Sequence, residues 1–429
     1  MSENIREIVF DCLLKVDEEG HKSHLVIREV LDKYDYLDNT DKNFIKRLFE
    51  GTIQKRITLD HAINRYSSKP VEKCKSAVKE ILRMGAYQIL YMDRVPDSAV
   101  CDEAVKLCIK RSRKEFSGFV NAVLRKLSRE KENALCFDAI ADNTLRLSVK
   151  YSLPEWLVRM LTKEQKNGEE LIASLEKERP TTVRITDDPE GVLKAWEKAG
   201  LSFAKRPEIE NVYDISGFHG MESVPGFLEG KIYVQDLSSM ISVKKAYEGF
   251  EDAENVLDIC AAPGGKSMYM AQLLKGKGHI TSCDISDEKV DLIRKNAERL
   301  NYKNIDFVKN DATIYNEAFK DSFDIVIADV PCSGLGVISR KSDIKYRMSN
   351  ELMADIVALQ KEIADNVKLY VKKGGVLLYS TCTIHKAENE RIVKYITKDE
   401  TFVLEEDKQF LPNVDDIDGF YYARLRRVK

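Results

Sequence analysis

NVLDICAAPGGK, residues 255–266, is the stretch on which the fold turns. Asn255 to Cys260 is a short apolar run of the kind that forms a buried strand. Gly264 and Gly265 then allow a tight turn, and Lys266 opens a helical stretch. The same unit recurs along the chain. HITSCD (279–284) leads into a helical stretch that reaches Leu300, and IDFVKN (305–310), FDIVIAD (323–329) and GGVLLYS (374–380) follow. Apolar strands without alternation, separated by helices, predict a parallel sheet covered on both faces. Such sheets bind ligands beyond the carboxyl ends of their strands.

Those ends carry the candidate chemistry. The turn at Gly264 and Gly265 lets the backbone approach a ligand closely. It is neither GxGxxG nor a P-loop, so it does not imply phosphate. The second strand ends at Asp284, about 20 residues past the glycines, where a carboxylate can accept hydrogen bonds from ribose hydroxyls. Asp311 follows the third strand and Asp329 ends the fourth. One strand-end Asp is often only a helix cap. Three on one rim point to a nucleoside-bearing cofactor.

Two thiols lie on the same rim: Cys332 in ADVPCSGLG (328–336) and Cys382 in LLYSTCTI (377–384). Free cysteines are mostly small buried hydrophobes, and Cys12, Cys74, Cys101, Cys108, Cys136 and Cys283 are read so. Two thiols just past strand ends, beside Asp329, suggest covalent catalysis.

Upstream, residues 1 to about 135 read as all-helical. Apolar residues in VEKCKSAVKEILRMGAYQILYM (71–92) fall near helical spacing, with Pro70 at the start. Residues 4–16, 41–54, 98–109 and 118–127 are similarly amphipathic. From about 145 prolines become frequent, and β-prone runs such as TTVRIT (181–186) and KIYVQD (231–236) alternate with polar helices. Three parts are expected: a helical domain over 1–140, a small α/β subdomain over 145–235, and an α/β domain over 236–429.

The bulk figures fit an ordinary soluble protein, with 43% hydrophobic and 32% charged residues among 429. No stretch approaches the ~20 apolar residues of a membrane span. Nine scattered cysteines without a CxxC pair argue against a disulfide framework or a zinc site, and for the cytoplasm. A net charge of −3 lacks the basic excess common in nucleic-acid binders. Two local runs do exist: Lys110, Arg111, Arg113 and Lys114, and Arg340, Lys341, Lys345 and Arg347. A charge run alone is most often a solvated face. Nothing demands more than a monomer.

Taken together, DICAAPGGK (258–266), DVPCSGLG (329–336), GGVLLYSTCTI (374–384) with ENE at 388–390, and DGFYYARL (418–425) resemble the Sun/Nop2 family of RNA 5-methylcytosine methyltransferases. The resemblance is strong over about 230–429 and loose over 145–230. LRMGAYQILYM (82–92), EAVKL (103–107) and FVNAVLRKL (119–127) resemble the RNA-binding NusB-like domain. Lys42 stands after Asp41 where arginine is expected, and Val330 where alanine is common.

The resemblance implies an all-α NusB-like domain, an RRM-like α/β subdomain and a Rossmann-like domain that uses S-adenosyl-L-methionine. The cofactor loop would be Cys260, Ala261, Ala262, Pro263, Gly264, Gly265 and Lys266. Asp284 would hold the ribose and Asp311 would lie beside the adenine. Asp329 would sit between cofactor and target base, contacting both. Cys382 would be the nucleophile and Cys332 would assist product release. No metal is implied. The NusB-like part points to 16S (small-subunit) ribosomal RNA as substrate, with transfer RNA as the alternative.

The chemistry agrees with this set. C5 of cytosine is a poor nucleophile until a thiolate adds at C6, and a thiol with pKa ~8.5 is only slightly ionised at neutral pH. A DNA cytosine-C5 methyltransferase would use the Pro-Cys thiol, Cys332 here, as nucleophile. The run Ser380-Thr381-Cys382-Thr383 favours the RNA enzymes. A non-catalytic RNA-binding assembly factor would be expected to have lost a thiol or a strand-end Asp, and all are present. A methyltransferase acting on proteins or small molecules has no need of both thiols.

Overall fold

The computed structural model describes residues 4–111 and 113–429. These fall into two compact units. One runs to Glu176 and takes in Arg340–Arg347; the other comprises Lys177–Ser339 and Met348–Lys429.

The first unit is helical. Helices Ile5–Asp17, Asn39–Gln54, Asp97–Lys110 and Ser117–Arg129 lie within a residue or two of the expected spans, Ser76–Tyr91 covers most of 71–92, and Ser23–Lys33 and Arg56–Asn64 are additional helices. Asn4 and Asp38 cap two of them by accepting from the backbone N–H groups of Arg6 and Asp41. The helix after Pro70 starts at Ser76 instead of Val71. Val71–Lys73 forms a single 3-10 turn whose Val71 N–H donates to the Asn64 side chain at 2.8 Å. Further helices follow at Asn143–Tyr151, Glu155–Glu164 and Gly168–Ser174. The core is built on Val9, Phe10, Leu13, Ile45, Leu48, Phe49, Ile81 and Leu124. Gly51 is required at its position, since a Cβ there would lie 2.0 Å from the Tyr87 ring.

Arg340–Arg347 is tied to this unit by side-chain hydrogen bonds. Asp343 accepts from the Ser23 N–H and hydroxyl, and Lys345 donates to the Gln54 carbonyl at 2.8 Å. Lys345 is fully buried, and burial pushes its ammonium down to about 7. This part of the second basic run is therefore not a solvated face. In the first run, Lys110 pairs with Glu7 and Arg111 with Asp11, each at 2.6 Å.

The second unit contains two sheets. Strands β1 (Thr181–Ile185), β2 (Ser202–Lys205), β3 (Val212–Ser216) and β4 (Ile232–Val234) form an antiparallel sheet in the order β2-β3-β1-β4, with Trp196 buried against it. The larger sheet has seven strands: β5 (Asn255–Asp258), β6 (His279–Asp284), β7 (Ile305–Lys309), β8 (Phe323–Asp329), β9 (Val371–Thr381), β10 (Phe402–Phe410) and β11 (Phe420–Arg427). Their order is β10-β11-β9-β8-β5-β6-β7. Strands β5 to β9 run parallel, and their apolar runs bury Val256, Leu257, Ile325, Ile327, Leu377 and Leu378 on both faces. The chain goes from β5 outward to β6 and β7, then crosses to β8 on the other side. The strand order thus reverses between β5 and β8, which is where such sheets open a ligand crevice.

Candidate active site

The crevice is lined from β5 and its neighbours. After Asp258 the chain passes through Cys260, Ala261, Ala262 and Pro263 to Gly264, whose φ of 105° lies in the region that favours glycine. Helix Gly265–Leu274 begins there. Asp284, at the end of β6, accepts from the Ala262 N–H at 2.9 Å and from Lys289 at 2.9 Å, so it fastens the loop to the neighbouring strand. Asp311 accepts from the Thr313 N–H and hydroxyl, which hold its carboxyl below the usual range. The adjacent Asn310 N–H donates to the Asp284 carbonyl, so the two rim aspartates sit on joined strands.

Asp258 was not singled out in the sequence, although it stands in the same motif. Its carboxylate is fully buried and accepts from the Ser267 hydroxyl through Oδ2, while Oδ1 has no partner. Burial pushes it up to about 7, helped by the charges of Asp329 and Asp284 and opposed by Ser267 and Lys266. Gln235 leaves a second buried oxygen unpartnered, and its amide nitrogen lies 3.5 Å from where a Cβ on Gly265 would be. Two orphan acceptors at a helix start suit a ligand that carries donors and positive charge.

Asp329, at the end of β8, accepts from the Ser380 hydroxyl through Oδ1 and from the Lys266 ammonium through Oδ2, both at 2.7 Å. Lys266 is nearly buried, with its ammonium 5.1 Å from the centre of the Phe420 ring. This settles where the Lys266 side chain goes: onto Asp329. The Cys332 and Cys382 sulfurs are 3.1 Å apart. The hydrogen bond with Cys382 and burial push the Cys332 thiol well up, and the charges of Glu388 and Asp329 add to this. Burial pushes the Cys260 thiol up as well, with the charges of Asp284, Asp258 and Asp329 adding and Lys289 opposing.

Three motifs meet at two glycines. The Gly336 N–H donates to the Cys382 carbonyl and the Gly419 N–H to the Gly336 carbonyl. A Cβ on Gly336 would lie 2.0 Å from the Gly419 oxygen, so the backbones of the Cys332 loop, the Cys382 loop and the start of β11 touch without room for a side chain. Beneath the thiols lies a buried polar cluster of Ser333, Gln360, Thr383, Glu388 and Asn389. Sequence reasoning named none of them as site residues; the ENE run was the one signal.

The family described as "16S rRNA methyltransferase RsmB/F" matches residues 249–426, and the NusB family matches residues 3–129. A probable ribosomal RNA small subunit methyltransferase B of Bacillus subtilis is 33% identical, over 99% of each chain. A ribosomal RNA small subunit methyltransferase B of Serratia proteamaculans is 28% identical, again over 99% of each. The solved structure of NSun6 from Pyrococcus horikoshii with SFG shares the fold, with a TM-score of 0.57 and 21% identity over 64% of this chain and 97% of that one. The full-length match to the Bacillus protein, with both family patterns in place, puts this chain in the 16S rRNA methyltransferase RsmB/F family, with a NusB-type helical domain at its N-terminus.

Proposed function

We propose that this protein transfers a methyl group from S-adenosyl-L-methionine to C5 of a cytosine in 16S ribosomal RNA, with Cys382 as covalent nucleophile. The observation that carries the reading is a pair of thiols 3.1 Å apart at the ends of β8 and β9, beside the Asp329–Lys266 pair. Relatives that span the whole chain are named as small-subunit ribosomal RNA methyltransferases.

The cofactor would lie on Cys260–Lys266, with Asp284 toward the ribose, Asp311 toward the adenine and Asp258 toward positive charge. When bound it supplies an electrophilic methyl group. The Cys382 thiolate adds to C6 of the base, forming a C–S bond and making C5 nucleophilic. Asp329 accepts from the N4 edge of cytosine, which distinguishes it from uracil, and Lys266 fixes the position of that carboxylate. After C5 is methylated, loss of its proton to a base lets the C6–S bond break and returns the thiolate. Cys332, in contact with Cys382, acts in this release. The target base must be unstacked to reach the thiol, which suits accessible RNA.

Residues 1–140 would dock RNA, 145–235 would form an auxiliary RNA-facing subdomain, and 236–429 would carry catalysis. Among the described residues no helix is long and apolar enough to cross a membrane. A cytoplasmic monomer fits this work. The reading is tested by mapping 5-methylcytosine in 16S ribosomal RNA from cells with the gene, without it, and with Cys382→Ala. A site lost in the deletion and not restored by Cys382→Ala is expected. Restoration by that variant would refute the nucleophile.

A further inference from the structure

Glu388 is completely buried, and its acceptors face two different catalytic loops. From the Cys332 loop, the Ser333 N–H donates to Oε2 at 2.8 Å and the Ser333 hydroxyl to Oε1 at 2.6 Å. From the Cys382 loop, the Thr383 hydroxyl lies 2.8 Å from the Ser333 hydroxyl, and His385 Nδ1 lies 3.1 Å from Oε1. Gln360 donates to Oε2 at 3.2 Å and to the Pro331 carbonyl at 2.9 Å, bracing the Cys332 loop from the far side. The neighbouring Asn389 accepts from Thr381 and donates to the Thr383 carbonyl, gripping the residues on either side of Cys382.

We propose that Glu388 is the positioning residue that sets the contact between Cys332 and Cys382, through its hydrogen bonds to the loops that carry them. Ser333 and His385 lie one and three residues from the reacting thiols, Gln360 braces the carboxylate from another helix, and a buried carboxylate with this many partners holds them rigidly. The groups with charge or a proton facing the thiols are Asp329 with Lys266, Glu388 with His385, and Tyr379. Glu388 and Asp329 both disfavour a thiolate at Cys332. Held by one carboxylate, the two loops keep the thiols in a fixed mutual geometry, which the attack and the release both require.

The inference rests on the roles proposed above for the thiols, and two variants separate them. Glu388→Gln keeps the shape and can keep the hydrogen bonds, since Ser333 and His385 can reverse their donor and acceptor roles; it removes only the charge. Glu388→Ala removes the bonds as well. In the full-length protein, Glu388→Ala is expected to lower kcat at least tenfold with KM for RNA unchanged, and Glu388→Gln to recover most of that loss. A Glu388→Gln protein as slow as Glu388→Ala would overturn positioning by these hydrogen bonds, and so would a folded Glu388→Ala protein with wild-type kcat. 5-Methylcytosine made by Cys382→Ala would instead bring down the thiol assignment, a result that does not depend on how the two Glu388 variants rank.

Discussion

Asp284 fastens the Ala262 N–H in place, and under the proposed function it also meets the ribose. Asp284→Ala is expected to weaken S-adenosylmethionine binding about ten- to a hundredfold, roughly 1.5–3 kcal/mol, by calorimetry. Unchanged affinity would remove it from that role. Asp258 carries a different prediction, because its carboxyl is raised from 3.8 to about 7. Below about pH 4 both folded and unfolded chains hold this proton, so burial costs nothing. Between pH 4 and 7 the unfolded chain has lost a proton that the folded one keeps, and stability falls by up to roughly 1.4 kcal/mol per pH unit. Above pH 7 the full penalty stands. Asp258→Asn, which can still accept from Ser267, should therefore match the wild type in thermal melts at pH 4 and exceed it at pH 8. Equal melting at both would show that Asp258 pays no such penalty. Asp284, Asp311, Asp329 and both thiols could be singled out because each stands at or shortly past the end of an apolar strand. Asp258 ends β5 in the same way, and only its full burial sets it apart from the rim. Ser333 and Glu388 were not legible, because a buried polar residue inside a motif looks like any other polar residue until its partners are known.

The parallel strands β5 to β9 could be read from the sequence because burial on both faces makes them continuously apolar. The antiparallel pair β10 and β11 could not. Strand β10, at the edge of the sheet, reads FVLEEDKQF (402–410), and its charge resembles a polar helix or loop although it suits an exposed edge. The helical domain was legible by period, but the turn at Val71–Lys73 depends on the Asn64 side chain, a contact that periodicity cannot report. At this scale the backbone junction of Gly336, Gly419 and Cys382 is the most exacting element. Gly336→Ala would press a methyl group against carbonyl oxygens 2.0 and 2.8 Å away, and should cost about 1–3 kcal/mol or more together with activity. Gly118→Ala, in a helix with nothing near the new Cβ, should be neutral or stabilise by roughly 0.4–1 kcal/mol. Denaturant melts of the two variants check both, and a Gly336→Ala protein as stable and active as the wild type would contradict the close approach.

Over the whole molecule, a net charge of −3 leaves RNA affinity to local features. Lys110 and Arg111 already pair with Glu7 and Asp11, while Lys114 is exposed, so a phosphate contact from that run should draw on Lys114. Changing Lys114 to Gln should flatten the dependence of log K on log salt by about 0.7–0.9, the contribution of one phosphate contact. An unchanged slope in a filter-binding titration would make the run a solvated face. The central claim concerns order: addition by Cys382 precedes methyl transfer, and release aided by Cys332 comes after it. Cys332→Ala and Cys382→Ala proteins, incubated with substrate RNA and cofactor and run on a denaturing gel, test it most directly. The account predicts a retarded, denaturant-resistant protein–RNA band that accumulates with Cys332→Ala and is absent with Cys382→Ala. A band from Cys382→Ala and none from Cys332→Ala would contradict it and exchange the roles of the two thiols.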